Sequence, residues 1–173
     1  MKQFINLSVL ITSVLFAQYT YALPDDINKP LEVQADEAMF DQNSGEAIYK
    51  GNVFVKQGSI EIHADYLKIT TDTQTKKFSS IKATGKPAKF SQQIDWSGNF
   101  VISKGDSINY STTESKLEIF GNGNLTRMQN SISADYILYM IQDGTFTAEK
   151  KDSGRVKMTL QPQTSNSAPE AKK

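Results

Sequence analysis

The 173-residue chain has no cysteine, a single histidine and a single tryptophan, and its 19 basic side chains are balanced by 19 acidic ones. Without cysteine there are no disulfides, no thiolate nucleophile and no Cys-based metal site. The lone His63 would have to serve any Ser/His/Asp triad, yet the alternation around it sends it to the wet face of a strand. The even charge balance gives no general attraction to nucleic acid, so no such partner is expected. Gly85-Lys86-Pro87 has the Gly-Lys step of a phosphate loop but lacks the earlier glycine and the following Ser or Thr, and reads as a strand-linking turn. Catalytic residues, metal ligands and cofactors are therefore all expected to be none. The carboxylates of Asp25-Asp26, Asp36-Glu37 and Asp65 are scattered among turns and strand ends. They leave one alternative open, a periplasmic β-protein that binds or cleaves polysaccharide through a carboxylate pair.

Long apolar runs are also missing, since Phe4 to Phe16 is the most apolar stretch and falls short of the roughly 20 residues that span a bilayer. With Lys2 ahead of it and Thr20-Tyr21-Ala22 behind, residues 1–22 read as a secretory signal peptide cleaved after Ala22, and the periplasm is the expected location. Setting Lys2 aside leaves a net charge of about minus one. At the other end, residues 161–173 hold nothing apolar larger than alanine and are expected to be a disordered polar tail. Between them, 23–160 shows no break in composition and reads as one domain.

What is present is a repeat. Gly51-Asn52 and Ala64-Asp65-Tyr66 recur seventy positions later as Gly121-Asn122 and Ala134-Asp135-Tyr136, with Asp36 over Asp106 and Phe40 over Tyr110. The apolar residues alternate with period two, as in Leu31-x-Val33-x-Ala35, Val53-x-Val55, Ile60-x-Ile62-x-Ala64 and Leu67-x-Ile69, and again at Ile108, Leu117, Ile119 and Ile132. Half-buried strands produce that pattern, and no ten-residue stretch shows a helical stripe. Turn signals at Gln42–Gly45, Lys50–Asn52, Gln57–Ser59, Thr71–Thr73, Gly85–Pro87, Ser97–Asn99 and Gly121–Asn124 divide the runs. Short strands at this spacing predict an all-β sandwich, jelly roll or solenoid.

Four strings, Leu31–Asp36, Tyr49–Gly58, Ile60–Asp65 and Gly85–Phe90, taken in order, resemble the OstA-like family of periplasmic lipopolysaccharide-transport bridge proteins over about residues 27–160. Gly123-Asn124 and the lack of a Gln-Gly turn after Arg127-Met128 depart from the pattern. The resemblance implies an open, twisted antiparallel β-jelly roll of two sheets splayed into a V, with lipid A acyl chains held between them. It implies transport of lipopolysaccharide across the periplasm. The partners it implies are an LptC-like periplasmic domain of the inner-membrane complex, the LptD-like N-terminal domain of the outer-membrane translocon, and further copies of the chain joined head to tail.

The physics of such a task is simple: an exposed acyl chain of a dozen carbons costs on the order of 10 kcal/mol, so it needs an apolar path. On alternation, the side chains that face inward and would line it are Leu31, Val33, Phe40, Tyr49, Val53, Val55, Ile60, Ile62, Phe90, Tyr110, Leu117 and Ile119. Edge strands at Leu31–Ala35 and Val156–Leu160 would offer unpaired backbone groups to a neighbour.

Overall fold

In a computed structural model of the protein, residues 25–150 and 154–162 are described; the expected signal peptide, residues 1–22, and residues 163–173 of the expected tail lie outside them. A single 3-10 turn, Asp26–Asn28, precedes ten strands: β1 Leu31–Gln34, β2 Glu37–Asp41, β3 Glu46–Gln57, β4 Ile60–Thr71, β5 Phe78–Gln93, β6 Phe100–Ser111, β7 Lys116–Arg127, β8 Asn130–Met140, β9 Thr145–Glu149 and β10 Lys157–Thr159. They form one antiparallel meander in the order β1-β3-β4-β5-β6-β7-β8-β10, with β2 also on β3 and β9 also on β8.

The pairing breaks register at one level across the whole sheet. The shifts fall between Lys50 and Val53 on β3, His63 and Tyr66 on β4, Thr84 and Ala88 on β5, Lys104 and Ser107 on β6, and Phe120 and Gly123 on β7. Bulges bend strands and increase their twist, so a line of them folds the sheet over on itself. One layer holds β2, β9 and the adjoining halves of the long strands; the other holds β1, β10 and the remaining halves. The Phe90 ring of the second layer lies 5.3 Å from the Tyr110 ring of the first, and residues of both halves share one buried core.

This fold line corrects three readings of the sequence. Lys50–Asn52, Gly85–Pro87 and Gly121–Asn124 do not reverse the chain; they lie inside β3, β5 and β7. Gly51 (φ 74°) and Asn52 (φ 45°) adopt the left-handed conformation to make the bulge, as do Gly121 (φ 69°) and Asn122 (φ 48°). Gly-Asn supplies positive φ equally well to a turn and to a bulge, which is why the two look alike in sequence. A side chain on Gly51 would overlap the Asp36 carboxylate, and one on Gly121 the Asp106 carboxylate. Asp36 in turn accepts from the Asn52 amide at 2.9 Å, and Asp106 from Asn122 at 3.1 Å.

The seventy-residue repeat is visible in these corners and in the strands. β3 and β7 begin and end at equivalent residues, and β6 corresponds to β1 and β2 joined end to end. The departure expected at Gly123-Asn124 does not interrupt β7. Nor does the missing Gln-Gly turn matter: Met128 (φ 47°) and Gln129 (φ 67°) close the β7–β8 hairpin where Gly58 (φ 59°) opens the turn between β3 and β4. The expected edge strands are found within a residue or two at each end, but each edge is split, and β2 and β9 form the other halves.

Candidate functional site

Partners directly opposite in a sheet share a face, so the register shows which residues line the interior. One row runs edge to edge through the first layer as Phe40, Ala47, Ile69, Ile81, Tyr110, Leu117, Tyr139 and Phe146. The matching row of the second layer runs Val33, Val55, Ile62, Phe90, Ser103, Leu125, Ile132 and Met158. The two apolar rows face each other.

Of the side chains expected inside, Val53, Val55, Ile60, Ile62, Phe90, Tyr110, Leu117 and Ile119 are fully buried core residues, and Leu31, Val33 and Tyr49 pack partly buried against them. Phe40 differs. It lies on the interior face opposite Ala47 but is 66% exposed, because β2 is the edge and nothing covers it. Phe146 stands 41% exposed at the opposite end of the same row. Ile69, Ile81, Leu125, Ile137 and Tyr139 are interior residues that the sequence reading does not include. For Ile69, Ile137 and Tyr139 the signal is a change of phase: alternation through Ala64 resumes at Leu67, and through Ala134 at Ile137, one residue out of step across the bulge.

The two ends of the interior are built differently. At the β1 end the Asp26 carboxylate is 97% buried by the 3-10 turn. It accepts from the Ser59 backbone N–H and hydroxyl at 2.7 Å each and from the Gln92 amide at 3.0 Å. The Gln57 amide donates to the Lys29 carbonyl at 3.1 Å and fixes the turn in place. Tyr110 lies close enough to feel this charge: burial first, then the Asp26 carboxylate, push its phenol up to about 12. At the β10 end a cleft of about 110 Å³ opens between the layers. Tyr139 and Phe146 line it from one layer, and Leu125, Arg127, Ile132, Met158 and Leu160 from the other side.

The outer faces are polar. His63 is exposed there with its ring 4.8 Å from Phe54, and Lys56 and Glu61 pair at 2.7 Å. Among the described residues no group of three or more His, Cys, Asp or Glu side chains is placed to hold a metal.

A single antiparallel meander rolled over an apolar interior, with strand edges unpaired at both ends among the described residues, defines an open-ended β-roll. The chain belongs to the family described as "LptA/(LptD N-terminal domain) LPS transport protein", whose model matches residues 32–145. The Haemophilus influenzae "Lipopolysaccharide export system protein LptA" is 29% identical over 154 residues, covering 88% of this chain and 89% of that protein. The LptA of Escherichia coli K12 is 29% identical over 155 residues, covering 89% and 83%. The crystal structure of Pseudomonas aeruginosa LptH, titled "the LptA homologous periplasmic component of the conserved lipopolysaccharide transport device", superposes with a TM-score of 0.73 at 25% identity, over 80% of this chain and all of that one.

Proposed function

We propose that this chain carries lipopolysaccharide across the periplasm, taking the lipid A acyl chains between its two layers. The observation that carries the reading is the pair of facing rows, apolar but for Ser103, that run from the β1–β2 edge to the β9–β10 edge. A path open at both edges suits a cargo that enters from one neighbour and leaves toward the next. The phosphates and sugars stay in water while each shielded methylene is worth about 0.8 kcal/mol. The edges supply the joints. An LptC-like domain of the inner-membrane complex, an LptD-like N-terminal domain of the outer-membrane translocon, or a second copy of the chain can pair with them by strand addition. Edges that are not self-complementary join head to tail and extend as a rod. Export by a cleaved signal peptide, and action as a binder rather than an enzyme, complete the reading.

The Phe90–Tyr110 contact favours a second reading, a structural adaptor with a permanently closed core. The two separate in cells carrying a photocrosslinking residue at Phe90 or Tyr110, with Glu61 and Lys68 on the outer face as controls. Lipopolysaccharide adducts from the interior sites alone are the expected result, and they require the layers to part. No adduct from either interior site in a stably produced protein would leave the closed adaptor. A carboxylate at Ile62 or Phe90 should likewise abolish lipid A binding by a variant that still folds.

A further inference from the structure

The repeat places Arg127 at the position that Gln57 occupies in the first copy: each is the last residue of its strand, and each faces the interior. Gln57 is satisfied by the carbonyls of the 3-10 turn, at 3.1 Å from Lys29 and 3.4 Å from Ile27. No such turn covers Arg127 among the described residues. Its buried Nε has no acceptor, and the described residues place no carboxylate within ion-pair distance of its guanidinium. The Asp95 carboxyl is held below its usual range by the Asn99 amide and backbone N–H first and by the Arg127 charge last, and its oxygens are committed to the backbone of Ser97 and Asn99 and to the Asn99 amide. Beside Arg127 the Tyr139 hydroxyl, on a side chain 99% buried, also lacks a partner. Both border the apolar cleft at the β10 end.

A buried guanidinium Nε–H and a buried hydroxyl, each without a partner, are costly to maintain unless something answers them. What answers both is an acceptor with several oxygens, and a guanidinium fork matches phosphate or carboxylate in two-point geometry. The apolar walls beside them call for hydrocarbon on the same molecule. We propose that this cleft is a headgroup site for an anionic amphiphile, with a phosphate or carboxylate on Arg127 and the Tyr139 hydroxyl, and the chain against Leu125, Phe146, Met158 and Leu160. The site rests on the lipid-carrier reading above and gives it a polar fixed point.

The test titrates the purified protein with lipid A bearing both phosphates, with its dephosphorylated counterpart of identical acyl chains, and with inorganic phosphate alone. Charge-assisted hydrogen bonds of this kind correspond to roughly a 10- to 100-fold difference in affinity. The phosphorylated lipid should therefore bind at least about 10-fold tighter than the dephosphorylated one, and Arg127→Gln should erase that ratio. Tyr139→Phe should narrow the ratio without lowering the melting temperature, since it removes a hydroxyl that has no partner to lose. Inorganic phosphate should compete only weakly; competition as strong as the lipid's would overturn the amphiphile assignment. An equal fall for both lipids in Arg127→Gln would make Arg127 a packing residue. A shift in self-association at an unchanged lipid ratio would assign it to a neighbouring copy's carboxylate. Either result overturns the site. Equal binding of the two lipids by the unaltered protein also sinks the site while leaving the carrier intact, whereas binding of neither sinks both.

Discussion

The two ends of the interior come from the same repeated strand pair, and they have opposite finishes. At the β3–β4 hairpin, Gln57 and Ser59 hold a 3-10 turn whose buried Asp26 packs over the hairpin tip. At the β7–β8 hairpin the equivalent place is taken by Arg127, and a cleft remains. A duplicated unit thus produces polarity through a few substitutions at its tips and the presence of one short turn, with no change in the strands. Polarity is what a unit needs if cargo is to enter at one end and leave at the other.

The largest effect is expected at the Asp26 turn. Asp26→Ala leaves the Ser59 N–H and the Gln92 amide buried without their acceptor, and should cost about 3 kcal/mol in a denaturant titration. No substitution of a single carboxylate at the β10 end should approach that. A loss below about 1 kcal/mol would mean that these hydrogen bonds do not hold the turn.

A smaller effect is expected from the phenols. Folding raises Tyr110 above its ordinary value of 10.0 to about 12, so its contribution is complete below pH 10 and is lost as the pH climbs from 10 toward 12. The loss is on the order of 2 kcal/mol across that window. Tyr110→Phe should flatten the alkaline limb of the stability curve. Tyr139→Phe should flatten it less, because burial raises that phenol while the Arg127 charge pulls it back. Equal flattening would show that the two ends do not differ electrostatically.

The smallest contrast lies in the hairpins. Gly58 is at positive φ and a Cβ there would overlap the Asp26 carboxylate, so Gly58→Ala should destabilise by more than about 1 kcal/mol. Met128 is in the same conformation with a side chain, so Met128→Gly should stabilise by up to about 1 kcal/mol. Shifts of the same sign in thermal unfolding would contradict the assignment of the two hairpins as equivalents.

Much of this architecture is legible in the amino-acid sequence. Period-two alternation locates the long strands, and the seventy-residue offset aligns β3 with β7 and β4 with β8. Gly51-Asn52 and Gly121-Asn122 mislead, because a local signal for positive φ does not say whether the chain reverses or only bends. That depends on whether a partner strand continues past it. Alternation puts Phe40 correctly on the interior face but not at its uncovered edge, since exposure at an edge depends on the absence of a neighbour. Arg127 and Tyr139 meet only because the sheet folds over. The one hint is the offset itself, which sets Arg127 over Gln57 and so marks a charge where the first copy has an amide.

The bulges at the fold line have a genetic consequence. β4, β5, β6 and β8 are each two half-strands out of phase by one position across the fold line, as Ile62 and Ile69 are on β4, whereas β3 and β7 keep their phase through Gly51-Asn52 and Gly121-Asn122. Loss of a single codon there would act on half a strand as a frameshift acts on a reading frame, turning every apolar side chain beyond it to water and every charged one to the interior. Substitutions along these strands can therefore be graded in severity, whereas single-residue insertions and deletions within them cannot.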